Sequence, residues 1–149
     1  MPVTMTRPLP RRRTGLTTAV TVGGERFVLT ANRGPDGRLG EVLIRWGKQG
    51  SASAGLMDAY ASGVSLGLER GVPLADLLRP ALGAHFDPSG HTDDPEIPRA
   101  RSVIDYIARR LALDWLPYPE RAGLGVFTAA ERTKRSRSAA GGPSPAAGC

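Results

Sequence analysis

The 149-residue sequence predicts an α+β fold: an antiparallel three-stranded meander followed by three helices packed on one sheet face. Three observations carry this expectation. Apolar residues alternate with a period of two between residues 16 and 46. From residue 51 the spacing changes to three and four. Turn residues fall between the segments, at Gly23-Gly24, Asn32–Gly40 and Gly71–Pro73.

The first strand is LTTAVTV, and Gly23-Gly24 is the two-residue hairpin signal that joins it to ERFVLTA. In that second strand Phe27, Leu29 and Ala31 share a face. NRGPDGRLG is rich in residues that tolerate turn dihedrals, and it leads into EVLIRW, with Val42, Ile44 and Trp46 on one side. Ser51 or Ser53 caps the first helix, whose buried stripe is Met57, Tyr60, Ala61, Val64 and Leu68. Gly71 and Pro73 stop it. LADLLRPALG is a shorter helix that Pro80 kinks or ends. A loop from about Ala84 to Pro98 precedes the last helix. That helix turns Val103, Ile104, Ile107, Leu111 and Trp115 inward and Arg101, Asp105 and Arg109 outward. The aromatics Phe27, Trp46, Tyr60, Phe86 and Trp115 lie on apolar stripes and read as core.

The net charge of +6 is terminal. Arg7, Arg11, Arg12 and Arg13 put +4 on residues 1–13, and Arg132, Lys134, Arg135 and Arg137 against Glu131 put +3 on residues 131–149. The stretch between them carries −1. Residues 1–13 therefore read as a basic disordered N-terminus, 14–116 as the folded domain, and 117–149 as a Pro/Ser/Ala-rich basic tail, mostly disordered. Such tails contact nucleic acid weakly and without sequence preference, through counterion release. No stretch approaches the ~18 apolar residues that cross a bilayer, and Met1–Pro10 has no signal-peptide core, so no membrane role and a cytoplasmic protein are expected. Cys149 is the one cysteine, which excludes an internal disulfide, a cysteine zinc site and a dithiol pair within these residues.

Candidate chemistry is sparse. Gly47–Ser53 is a glycine-rich turn opening a helix, where Lys48, Gly50, Ser51 and Ser53 form a candidate anion- or nucleotide-binding set, although the P-loop spacing is absent. His85, Asp87, His91 and Asp93 offer mixed nitrogen and oxygen ligands, but their spacing matches no helical metal motif and ordinary turn chemistry accounts for them. No catalytic residue and no metal site is assigned. Asp58 complements the dipole of the first helix. An uncovered sheet face and a free edge strand leave room for a homodimer.

The strings Gly47-Lys48-Gln49-Gly50-Ser51, Gly55-Leu56-Met57-Asp58-Ala59-Tyr60-Ala61, Gly71-Val72-Pro73-Leu74 and Phe86-Asp87-Pro88-Ser89-Gly90 are collinear with a known pattern, as are Pro95-Glu96-Ile97 and Ala100–Ile107. The pattern resembles the TSCPD domain, a unit at the C-terminal end of adenosylcobalamin-dependent (class II) ribonucleotide reductases and also a free-standing small protein. The resemblance spans about residues 11–116. Gly55, Leu56, Met57, Asp58, Pro88, Ser89, Gly90 and Pro95 are its motif positions here. The Thr-Ser-Cys-Pro-Asp string that names the domain corresponds to Thr92–Glu96, with Asp94 in place of the cysteine.

What the resemblance implies is a free-standing accessory or regulatory module in deoxyribonucleotide synthesis, docking on a reductase catalytic subunit or binding a nucleotide. The family reaction needs a radical cysteine and a reducing dithiol, so this chain is not expected to be active alone. Adenosylcobalamin would belong to the full-length reductases, with no cofactor here. The alternative is a basic-tailed nucleic-acid or phospholigand-binding protein that reuses the fold.

Overall fold

The computed structural model describes residues 8–47 and 51–142. Strands β1 (Gly15–Val22), β2 (Glu25–Arg33) and β3 (Leu39–Trp46) form the expected antiparallel meander in the order β1-β2-β3. Val22 pairs with Glu25 across a turn in which Gly23 and Gly24 take φ of 55° and 86°. Both positive values are open to glycine at no steric cost, and a Cβ on Gly23 would also sit 2.6 Å from the Ser89 carbonyl oxygen. Phe27 lies between Val20 and Trp46, Leu29 opposite Ile44, and Ala31 opposite Val42. This face of the sheet is buried at Val20, Val22, Phe27, Leu29, Ala31, Val42 and Ile44, while Leu16 at its open end is 48% exposed. The other carries Thr17, Thr30, Leu43 and Arg45, and Leu43 is half exposed.

Each edge of the sheet is met over part of its length. Helix α1 (Ala52–Glu69) runs along β3, where the Ser65 hydroxyl accepts from the Val42 amide at 2.9 Å and donates to the Val42 carbonyl at 3.1 Å. The hydroxyl answers the two edge groups that a fourth strand would pair. At the β1 edge Thr92 bridges to Val22. Asp93 Oδ1 accepts from the Thr21 amide at 2.8 Å, and the Gly23 amide donates to the His91 carbonyl at 3.0 Å.

Ser51 is the α1 cap, and Met57, Ala61 and Val64 are buried as the periodicity predicts. Helix α2 (Leu74–Leu78) is short. The predicted loop contains a small hairpin, β4 (Gly90–His91) with β5 (Arg99–Ala100). Helix α3 (Val103–Trp115) is the central helix, and it departs from expectation at Asp105, which is 1% exposed rather than outward. Its Oδ1 accepts from the Gly83 amide at 2.7 Å and from Arg109 Nε at 3.0 Å, and its Oδ2 accepts from the Arg101 amide at 2.9 Å. The carboxylate ties the end of the α2 segment to the start of α3. Phe86 also departs from the expected core set: it is 39% exposed, on a loop held by its backbone amide bonding the Arg101 carbonyl.

The larger difference lies beyond Trp115. Helices α4 (Tyr118–Leu124) and α5 (Ala129–Ala140) occupy much of the stretch whose composition predicts an irregular tail, making five helices among the described residues. Thr128 and Glu131 cap each other's amides at the start of α5, and Arg121 grips Glu131 with two hydrogen bonds of 2.9 and 3.0 Å. Val126, between the helices, is buried. No residue of α5 is buried, so its capping, this ion pair and the bonds from Arg132 to the Phe127 and Glu96 carbonyls hold it.

Candidate functional site

The predicted anion loop is only partly in view, since Lys48 and Gly50 lie outside the described residues. The Ser51 hydroxyl accepts from the Ala54 amide at 3.2 Å, so it serves as the helix cap. Ser53 is exposed in the first turn. Of the motif positions that follow, Met57 is in the core and Leu56 is 69% exposed. Gly55 and Asp58 line a groove of about 740 Å³ between α1 and the β3 side of the sheet, with Thr30, Leu43 and Arg45 of the outer face also lining it.

Pro88, Ser89, Gly90 and Pro95 stand at the opposite edge of the sheet, in the segment bound to β1. Ser89 packs on Gly23, and its hydroxyl donates to Asp87 at 2.9 Å. The two sets of motif positions therefore do not form one pocket.

Within the name-giving segment, Asp94 is the hub of a charged network. Its Oδ2 accepts from Tyr106 Oη at 2.7 Å and from Arg110 Nη1 at 3.0 Å, and its Oδ1 accepts from the Glu96 amide at 3.0 Å. Arg110 also contacts Glu96 and Asp114. Burial alone raises the Asp94 carboxyl, but the bonds from Tyr106 and Arg110 outweigh it and hold the group below the usual carboxylate range. Burial, and then Asp94 itself, push the Tyr106 phenol well above its ordinary value. Burial opposes the charge of Arg110, yet its bonds to Asp114 and Asp94 win and raise it. Chemically this network is a fastener. It pins the 92–96 turn to α3 and presents no nucleophile.

Among the described residues no three His, Cys, Asp or Glu side chains group as a metal site. Asp93 is bonded to the Thr21 amide, Asp87 to Ser89, and His91 Nε2 lies 3.1 Å from Arg99 Nη2.

Sequence reasoning missed a cationic concavity. His85, Arg99, Arg101 and Arg109 line a space of about 370 Å³ beside the start of α3. The alternation of exposed Arg99 and Arg101 around buried Ala100, at β5 and the residue after it, was the available signal.

These features define a small α+β unit with a groove beside α1, a cationic concavity beside α3 and a locked turn. Its family is now specific: the TSCPD domain family matches residues 3–114, and the chain belongs to it. It is 47% identical over 136 residues to a vitamin B12-dependent ribonucleotide reductase of Streptomyces avermitilis, covering 91% of this chain and 14% of that protein. A protein of the same name from Streptantibioticus cattleyicolor is 49% identical over 126 residues, 85% of this chain and 21% of its own length. One from Rhodopirellula baltica is 37% identical over 108 residues, 72% of this chain and 10% of its own length. The chain thus spans a small fraction of the relatives it matches. No solved structure matches it.

His85 is exposed on a loop and His91 is exposed in β4, and both stand beside arginines. Among the described residues no helix is long and apolar enough to cross a membrane.

Proposed function

We propose that the chain is an accessory or regulatory module of deoxyribonucleotide synthesis, acting in the cytoplasm by docking on a vitamin B12-dependent ribonucleotide reductase or by binding a nucleotide. The observation that carries the reading is the collinear match over most of this chain to a small part of such reductases. The groove lined by Gly55 and Asp58 supports docking, because two motif positions of the family face open space there. The experiment is affinity capture with the tagged full chain from its own cell lysate, with proteins and nucleotides identified by mass spectrometry. Recovery of a reductase subunit or a stoichiometric nucleotide is the expected result. Recovery of neither overturns the proposal.

A second reading rests on α5, an exposed helix whose Arg132, Lys134, Arg135 and Arg137 face a single acid, Glu131. It would bind nucleic acid non-specifically, with affinity falling steeply as salt rises. Binding to DNA that is indifferent to salt and to deletion of α5 counts against it.

A further inference from the structure

The cationic concavity does not end at Arg109. Arg99 and Arg109 also line a second space of about 250 Å³, whose walls are Ile97, Leu113, Val126 and Phe127. The second space thus has an apolar wall of Ile97, Leu113, Val126 and Phe127 with Arg132 on its rim, and Arg99 and Arg109 line both spaces.

The charge in the first chamber is only partly compensated: Arg109 pairs with Asp105 at 3.0 Å, and two further arginines remain. Arg99 and Arg101 are exposed, and among the described residues neither meets a carboxylate. Asp105 also lines this chamber, but it is buried and its oxygens are filled by two amides and Arg109. On the far rim of the second chamber, Arg132 of α5 bonds the carbonyls of Phe127 and Glu96, which leaves its charge unpaired. Like charges gathered this way repel one another unless an anion joins them.

We propose that the joined chambers bind a nucleoside di- or triphosphate. The phosphates lie among Arg99, Arg101 and Arg109, where guanidinium forks match phosphate oxygens. The base enters the apolar chamber, against Leu113, Ile97 and the ring of Phe127. Arg135 already covers one face of that ring at 4.2 Å, which fixes its orientation. A bare polyanion uses the first chamber only, whereas a flat heterocycle carrying phosphates uses both. This deepens the nucleotide-binding side of the function proposed above, but it rests on different residues from the Gly47–Ser53 loop.

The test is calorimetric titration of the full chain with ATP, ADP, tripolyphosphate and a single-stranded DNA oligomer. It includes the variants Arg99→Glu, Arg101→Glu, Leu113→Gln and Lys48→Ala, each checked for native melting. ATP or ADP is expected to bind with one site and to outcompete tripolyphosphate. Arg101→Glu and Arg99→Glu, both at exposed positions, should each weaken the nucleotide at least about tenfold, and Leu113→Gln should weaken the nucleotide but not tripolyphosphate. The assignment is overturned if no nucleotide binds, if the arginine variants bind as well as the parent chain, or if tripolyphosphate or DNA binds more tightly than the nucleotide. Binding lost in Lys48→Ala but kept in Arg101→Glu also overturns it, and returns the nucleotide to the Gly47–Ser53 loop.

Discussion

Two arginines adjacent on α3 live in opposite surroundings. Arg110 is 8% exposed and meets Asp94, Glu96 and Asp114. Arg109 turns to the other side, where its one acid partner, Asp105, is already shared with two amides and its further neighbours are Arg99, Arg101 and His85. The same side chain is a structural fastener on one side and part of an open cationic surface on the other. Removing one partner from the acid-enclosed arginine leaves an uncompensated charge, whereas the other arginine stands on a surface open to solvent. The chain between the termini is nearly neutral, so this contrast comes from segregation of charge and not from its total.

The comparison breaks most visibly at Arg110. Arg110→Met leaves Asp94 enclosed without its cation and should cost about 3 kcal/mol, a fall in Tm of about 10 °C. A thermal melt that moves by less than about 3 °C would place the network among weak surface pairs instead. Tyr106→Phe removes one bond to Asp94 and should cost about 1.5 kcal/mol in urea unfolding. Ser65→Ala strips the hydroxyl from the β3 edge. A loss of about 1 kcal/mol is expected, with hydrogen exchange at the Val42 amide faster by about fivefold.

The α5 end should respond to acid. The bonds from Arg121 and then from the Thr128 amide hold the Glu131 carboxyl down to about 2. A depressed carboxylate stabilises the fold above its unfolded value, and that contribution goes as pH falls through the folded value. Helical circular dichroism should therefore hold to about pH 4.5 and lose the α5 share between there and pH 2. Glu131→Gln should reproduce that loss at neutral pH. The smallest effect sharpens the comparison: Arg101→Glu should alter stability by no more than about 0.5 kcal/mol, since among the described residues its side chain meets no carboxylate.

Much of the fold was legible because it is written in local periodicity. The β2 alternation, the Gly23-Gly24 turn, the Ser51 cap and the α1 stripe needed only neighbours in sequence, and each is in the structure. Asp105 was misjudged because two of its partners, Gly83 and Arg101, are backbone amides that side-chain spacing does not reveal. Helix α5 had a local signal, the Thr128-x-x-Glu131 capping box, which the low-complexity composition around it outweighed. The site was less legible than the fold. Motif positions at 55–58 and 88–95 lie at opposite sheet edges, and the cationic chamber draws on a loop, a short strand and a helix.

The two sheet edges also close at different times. Ser65 stands 23 residues from Val42, so α1 covers the β3 edge as soon as the chain immediately after the meander folds. The β1 edge waits for Asp93, 72 residues beyond Thr21. During synthesis β1 therefore remains an open template until the chain has grown past residue 93, and loop-closure entropy slows its covering further. In that interval a neighbouring nascent copy can compete with the chain's own 91–93 segment for the end of β1.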